Sequence, residues 1–209
     1  MTERDYAWTD EWDAFCIALV EHRTPAEVLR MVVRQPAIGP DRADRIRTWA
    51  ESQDYQNYGT SIEATALGDW TLVVEMNGFQ ASIPGVMRRL STHTRAVSLF
   101  RNVNAVMSFN WATNGALVRS FDPLLYHPQG SLGSPLPEES GLSFGVPGHV
   151  VSAAFACAER LTGVHLAQDL LGSRDAWLAI GHHPIISSKL EDWNVNGSAM
   201  MVPSENDRP

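Results

Sequence analysis

Five polar residues in the middle of the chain carry groups from which a site would be assembled: Glu75, Asn77, Arg101, Asn102 and Asn104. Glu75 closes the run Trp70-Thr-Leu-Val-Val-Glu75 and is followed by Asn77-Gly78, so its carboxylate falls at a strand end beside a turn. Ligand-binding and catalytic carboxylates often occupy such places. The plainer use of the same group is to hydrogen-bond the turn or to pair with an arginine. For Asn77-Gly78 the turn is itself a sufficient explanation. Arg101-Asn102-Val103-Asn104 offers a guanidinium and two carboxamides. If the backbone alternates, Asn102 and Asn104 share one face and Arg101 takes the other. Two amides on one face can read a polar ligand or a peptide backbone, since each has a donor and an acceptor. They can equally buttress a loop through side-chain-to-backbone bonds. An ion pair between Arg101 and Glu75 on neighbouring strands would be a structural use of both.

Other chemistry is thinly represented. His182-His183 are adjacent, and adjacent side chains diverge on a strand or a helix, so they do not form a shared metal site. His149 and His165 have no carboxylate at ligand spacing, and no metal is expected. There is no phosphate loop, GxGxxG, HExxH or CxxC pair, and no cofactor is implied. Gly130-Ser131-Leu132-Gly133 lacks the spacing of a nucleophile elbow. No catalytic set is recognisable. Seven tryptophans exceed what one small core usually needs, so one or two are candidates for a groove or an interface.

Bulk properties narrow the partners. A chain of 209 residues with 44% hydrophobic and 19% charged residues suits one globular domain. Its net charge of −8 argues against non-specific binding to nucleic acid or an anionic membrane. Arg34, Arg42, Arg45 and Arg47 are interleaved with Asp41, Asp44 and Glu51, as on a solvated helix face. No run approaches the ~18 apolar residues that span a bilayer. The polar start Met1-Thr-Glu-Arg-Asp-Tyr does not read as a secretory signal, so the cytosol is the expected location. Cys16 and Cys157 sit in apolar patterns and are expected to be buried and reduced.

These side chains need elements to hold them. Thr9 or Asp10 opens an amphipathic helix in which Trp12, Phe15, Cys16, Leu19 and Val20 recur to about Glu21. Thr24-Pro25-Ala26-Glu27 is a capping box with proline at the first helical position, and Val28, Leu29, Val32 and Val33 follow. Asp41 to Glu51 reads as a third, polar helix and Ser52 to Thr60 as a loop; residues 34–60 form an insertion or flap. Five strands follow: Ser61–Leu67, Trp70–Glu75, Ala96–Phe100, Val106–Trp111 and Leu117–Phe121. Between the second and third, Ser82 caps a short helix carrying Val86, Met87 and Leu90. Asn114-Gly115 is the strongest hairpin signal. Leu124 to Val146, rich in Pro, Gly and Ser, is a lid or a wrapping connection. Val150 to Leu161 is a helix ended by Gly163, and Leu166 to Leu171 a short one. Trp177 to Ile186 is apolar and unassigned.

The fold expected is α+β: an antiparallel meander of about four to five strands, packed on one face by the N- and C-terminal helices. Residues 8–186 make one domain and 187–209 a polar tail. The segments Gly68-Asp-Trp-Thr-Leu-Val-Val-Glu75-x-Asn77-Gly78, Val97-Ser-Leu-Phe-Arg-Asn-Val-Asn104, Ser120-Phe-Asp-Pro123 and Glu159-Arg-Leu-Thr-Gly-Val resemble an uncharacterised actinobacterial domain family. The resemblance spans most of Asp10 to Leu171. It implies an actinobacterial cytosolic protein and brings no activity or catalytic residue with it. The function expected is a non-enzymatic interaction or regulatory module that meets a protein or peptide near Asn102 and Asn104. The alternative is a small-molecule binder or small enzyme with a pocket between sheet and helices, using Glu75, Arg101 and Asn104.

Overall fold

The computed structural model describes residues 2–33, 37–40, 60–127, 131–170 and 176–181. In chain order the strands are β1 (Phe15–Glu21), β2 (Thr60–Leu67), β3 (Trp70–Met76), β4 (Arg95–Arg101), β5 (Met107–Thr113), β6 (Ala116–Phe121) and β7 (Trp177–Gly181). The α-helices among the described residues are α1 (Pro25–Val33), α2 (Pro84–Leu90) and α3 (Val150–Thr162). The strands form one antiparallel sheet in the order β6-β5-β4-β1-β3-β2-β7.

β1 is the middle strand, and it corrects the helix expected over Asp10–Glu21. Phe15-Cys-Ile-Ala-Leu-Val is apolar at every position because both faces of this strand are covered. Phe15, Ile17 and Leu19 face one core and Cys16, Ala18 and Val20 the other. A strand buried on both sides shows no alternation, and a continuous apolar run also contains a helical stripe. β7 is the second strand beyond those expected, and it pairs with β2 on the far edge. With β1 inserted between β3 and β4, only β4-β5-β6 is a simple meander.

Two cores follow, where one packed face was expected. On the first face Leu72, Val97, Leu99, Phe109 and Phe121 meet α3 and the 3-10 segment Glu3–Thr9. On the second face Val73, Ala64, Ala96 and Ala112 meet α1 and α2. Full burial of each Leu, Ile, Val or Phe contributes ~1.5–3 kcal/mol. The first core carries the larger side chains, among them Phe15, Phe109, Phe121 and Phe155, whereas alanines make up much of the second.

Local signals behave as read. The Thr24 backbone N–H and hydroxyl both donate to Glu27 Oε2, at 2.9 and 2.7 Å, and α1 starts at Pro25. Gly163 ends α3 with φ 74°. Asn114 and Gly115 turn β5 into β6 with φ 52° and 78°, the left-handed pair such a hairpin demands. Ser82 does not cap α2; its hydroxyl donates to the Phe79 carbonyl inside the preceding 3-10 turn. In place of the short helix expected from Leu166, the described residues form the 3-10 turn Gln168–Leu170; Leu171 lies outside the described residues. Cys16 and Cys157 are free and buried. The polar helix over Asp41–Glu51, the loop after Ser52, most of the 34–60 insertion and the 187–209 tail lie outside the described residues. Ile38, within that region, forms a bridge with Leu178 of β7.

The connection from Leu124 to Val146 is a wrapping one where it is described. Its fastening is Arg119, fully buried on β6, whose Nε and Nη2 donate to Glu139 at 2.7 and 2.9 Å. Nη1 takes the carbonyls of Leu132 and Gly133, and the Tyr126 hydroxyl adds a bond to Glu139 at 2.8 Å. Arg160 of α3 holds the carbonyls of Glu138 and Ser140. Glu3 accepts from the Ser143 N–H and hydroxyl.

Candidate functional site

Glu75 is the penultimate residue of β3, with its side chain on the α1/α2 face beside its β1 partner Cys16. The carboxylate is fully buried and accepts the N–H groups of Ala81 (2.7 Å) and Gln80 (3.0 Å). Burial pushes its pKa up to about 7, against the pull of these backbone donors and the Cys16 thiol. Burial, and then the nearby Glu75 charge, likewise push the Cys16 thiol upward. Glu75 thus ties the Phe79–Ser82 turn to the sheet. The Gly78 backbone lies so close that an added Cβ would stand 2.5 Å from Glu75 Oε2 and 2.6 Å from its Cβ. Asn77 takes a left-handed φ of 58° and its N–H reaches the Ala14 carbonyl at 3.4 Å.

Arg101 ends β4 one register position away, opposite Phe15 of β1 and Met107 of β5. Phe15 and Met107 belong to the α3-side core, so Arg101 stands on the opposite face of the sheet from Glu75. The ion pair considered between them does not form. Nor does alternation extend past Arg101. Asn102 Oδ1 accepts the N–H groups of Asn104 and Val106, both at 3.0 Å, and curls the chain into the β4–β5 turn. Asn104 is exposed on that turn. The structure therefore keeps Arg101, Asn102 and Asn104 at one end of the sheet and separates Glu75 from them.

Arg101 opens onto a cleft of about 210 Å³ between the sheet and the start of α3, walled by Met107, Leu124, Pro147 and Val151. Asp10 lines the same cleft. Its Oδ1 accepts the Ser152 N–H at 3.1 Å, capping α3 where His149 supplies no side-chain bond. The Nε of Arg101 is buried and has no hydrogen-bond partner. Val106, Leu125 and Val146, each next in the chain to a residue that lines the cleft, are exposed, as are Val103 (74%) in the β4–β5 turn and Met76 at the end of β3.

Sequence reasoning missed three polar constructions: the Asp10 cap, the Arg119–Glu139–Tyr126 fastening, and a cluster of Tyr6, Glu159 and His165. In the last, the Tyr6 hydroxyl donates to Glu159 Oε2 at 2.8 Å and lies 3.2 Å from His165 Nδ1. Their partners are far apart in sequence, and only Arg119 left a local trace, as a charge in the strand run Ala-Leu-Val-Arg-Ser-Phe. Trp70 and Trp111 are buried in the first core. Trp8 and Trp12 pack on Phe155 with ring centroids 5.9 and 6.4 Å away, and Trp177 packs on the second core. Trp49, Trp193 and His182-His183 lie outside the described residues. Among the described residues no group of three His, Cys, Asp or Glu side chains is placed to hold a metal ion, and no helix is long and apolar enough to cross a membrane.

No curated protein and no solved structure matches the chain. The sequence matches one family over residues 1–184, described as a family of unknown function, DUF6461. With that match running through the seven-stranded sheet and α3, the chain belongs to DUF6461.

Proposed function

We propose that the protein is a non-enzymatic interaction or accessory module, and that its partner is a protein or peptide. The observation that supports this most is the sheet end around the β4–β5 turn. There, large apolar side chains of Met76, Val103, Val106, Leu125 and Val146 stand in solvent. Apolar side chains grouped at one place and rimmed by polar groups mark interaction surfaces. Asn102 stiffens the turn that presents Val103 and Val106, so little order is lost on docking. Glu75, Glu139 and Glu159 are engaged in holding the fold. The sequence resemblance supports an actinobacterial cytosolic setting.

The test is affinity capture from the native host with wild type, Val103→Asp and Asn104→Ala. One defined protein retained by wild type and lost by Val103→Asp, at unchanged thermal midpoint, supports the reading. If no protein is retained but a small molecule co-purifies, the second reading takes over. That second reading, a small-molecule binder, draws on the cleft beside Arg101. It would have to do without Glu75, which faces the other core.

A further inference from the structure

The cleft beside α3 is lined by one carboxylate and one guanidinium, and the guanidinium has a buried donor without a partner. Asp10 is accounted for: its carboxylate takes the Ser152 N–H and sits at the positive end of α3. Arg101 is not. Its Nε is buried without a hydrogen-bond partner, although buried polar groups are nearly always satisfied. The remaining walls, Met107, Leu124, Pro147 and Val151, are apolar. A ligand that completes this cleft carries one negative charge and a small apolar body. The volume of about 210 Å³ is below the ~300 Å³ at which pockets for larger ligands begin, so it admits a group of single-residue size.

We infer that the cleft receives the C-terminal carboxylate of a partner polypeptide that ends in a small apolar residue. This rests on the interaction reading above and names what the surface recognises. A C-terminal residue carries its carboxylate and its side chain on the same carbon, so it meets the guanidinium and the apolar walls together. A carboxylate brings the anionic acceptor that the Arg101 Nε lacks, and an arginine fork suits its two oxygens. The chain's net charge of −8 repels a generally acidic segment, so the anion arrives as an isolated terminus. The residues before that terminus would lie over Val103, Leu125 and Val146, which are exposed beside the cleft.

The experiment is an NMR titration of the isotope-labelled full chain with three probes: acetyl-valine, acetyl-valinamide and acetyl-glutamate α-amide. Acetyl-valine is expected to shift the Arg101 Nε–H and the Met107 and Val151 amides saturably. Acetyl-valinamide, which lacks the charge, is expected to leave them in place. Arg101→Gln should weaken acetyl-valine binding by roughly tenfold or more, the size of a lost charge-assisted bond. Should Arg101→Gln fail to fold, the comparison of acid and amide on wild type still decides. Equal response to the amide, undiminished binding by folded Arg101→Gln, absence of a saturable response, or tighter binding of acetyl-glutamate α-amide would each overturn the inference. Loss of partner capture in Val103→Asp, with no acetyl-valine binding to wild type, would remove the carboxylate site and leave the interaction reading intact.

Discussion

At the scale of single residues, two buried carboxylates act on stability with opposite sign. Glu75 has its pKa raised by burial from 4.5 to about 7. The folded state then holds more protons than the unfolded state between those values, so stability is full below about pH 4.5 and falls as pH rises to about 7. At ~1.4 kcal/mol per pH unit the loss is on the order of 3 kcal/mol. Denaturant unfolding measured from pH 4.5 to 7.5 should show this decline, and Glu75→Gln should flatten it. Burial also raises Glu139, but the Arg119 guanidinium, the Leu136 N–H and the Tyr126 hydroxyl outweigh it and hold the carboxyl below its usual range. Its contribution is present above the ordinary carboxylate pKa and lost as pH falls below it, a separate window from that of Glu75. Glu139→Gln leaves the fully buried Arg119 charge uncompensated, and such losses cost about 3–5 kcal/mol. The thermal midpoint should fall accordingly, and replacing Arg119 by Met in the same chain should restore much of it.

At the scale of elements, caps show what a sequence displays and what it hides. The partners of the Thr24–Glu27 box are three positions apart and are written in four consecutive letters. The cap of α3 comes from Asp10, 142 residues from the N–H it accepts. Asp10→Ala should cost about 1 kcal/mol, the usual loss for a capping side chain. Amide exchange in the first turn of α3 should quicken while α1 is unchanged; equal change in both helices would count against a local cap. The 124–146 connection obeys the same distinction. Its Gly, Pro and Ser content announced an irregular segment, but its fastening depends on Arg119 and Arg160 from other elements. Gly133 takes a φ of 75°, and a Cβ there would run into the Val118 carbonyl. Gly133→Ala should therefore lower the thermal midpoint through both strain and collision.

For the whole molecule, the order of strands sets the order of opening. β1 is bonded on both sides and buried on both faces, whereas β6 and β7 lie at the edges. Native-state hydrogen exchange should be slowest in β1 and its neighbours β3 and β4, and fastest in β6 and β7. Fast exchange in β1 would contradict the central placement. The same layout separates Glu75 from Arg101, since positions one step apart along an antiparallel sheet point to opposite cores. A site that unites them is thereby excluded, and Arg101, Asn102 and Asn104 remain together at one end of the sheet.

Five strands, the α1 cap, the Gly163 stop and the Asn114-Gly115 hairpin were determined by the sequence alone, because alternation, capping and left-handed turns act within a few residues. The residues 15–21 were not, since a strand covered on both faces loses the period that marks it. Only the folded chain decided that β1 lies between β3 and β4, that helices cover both faces, and which polar groups meet. Those outcomes depend on contacts between distant residues: Tyr6 with Glu159, Asp10 with Ser152, Arg119 with Glu139. No local pattern records such pairings, because each partner's own neighbourhood is compatible with many others.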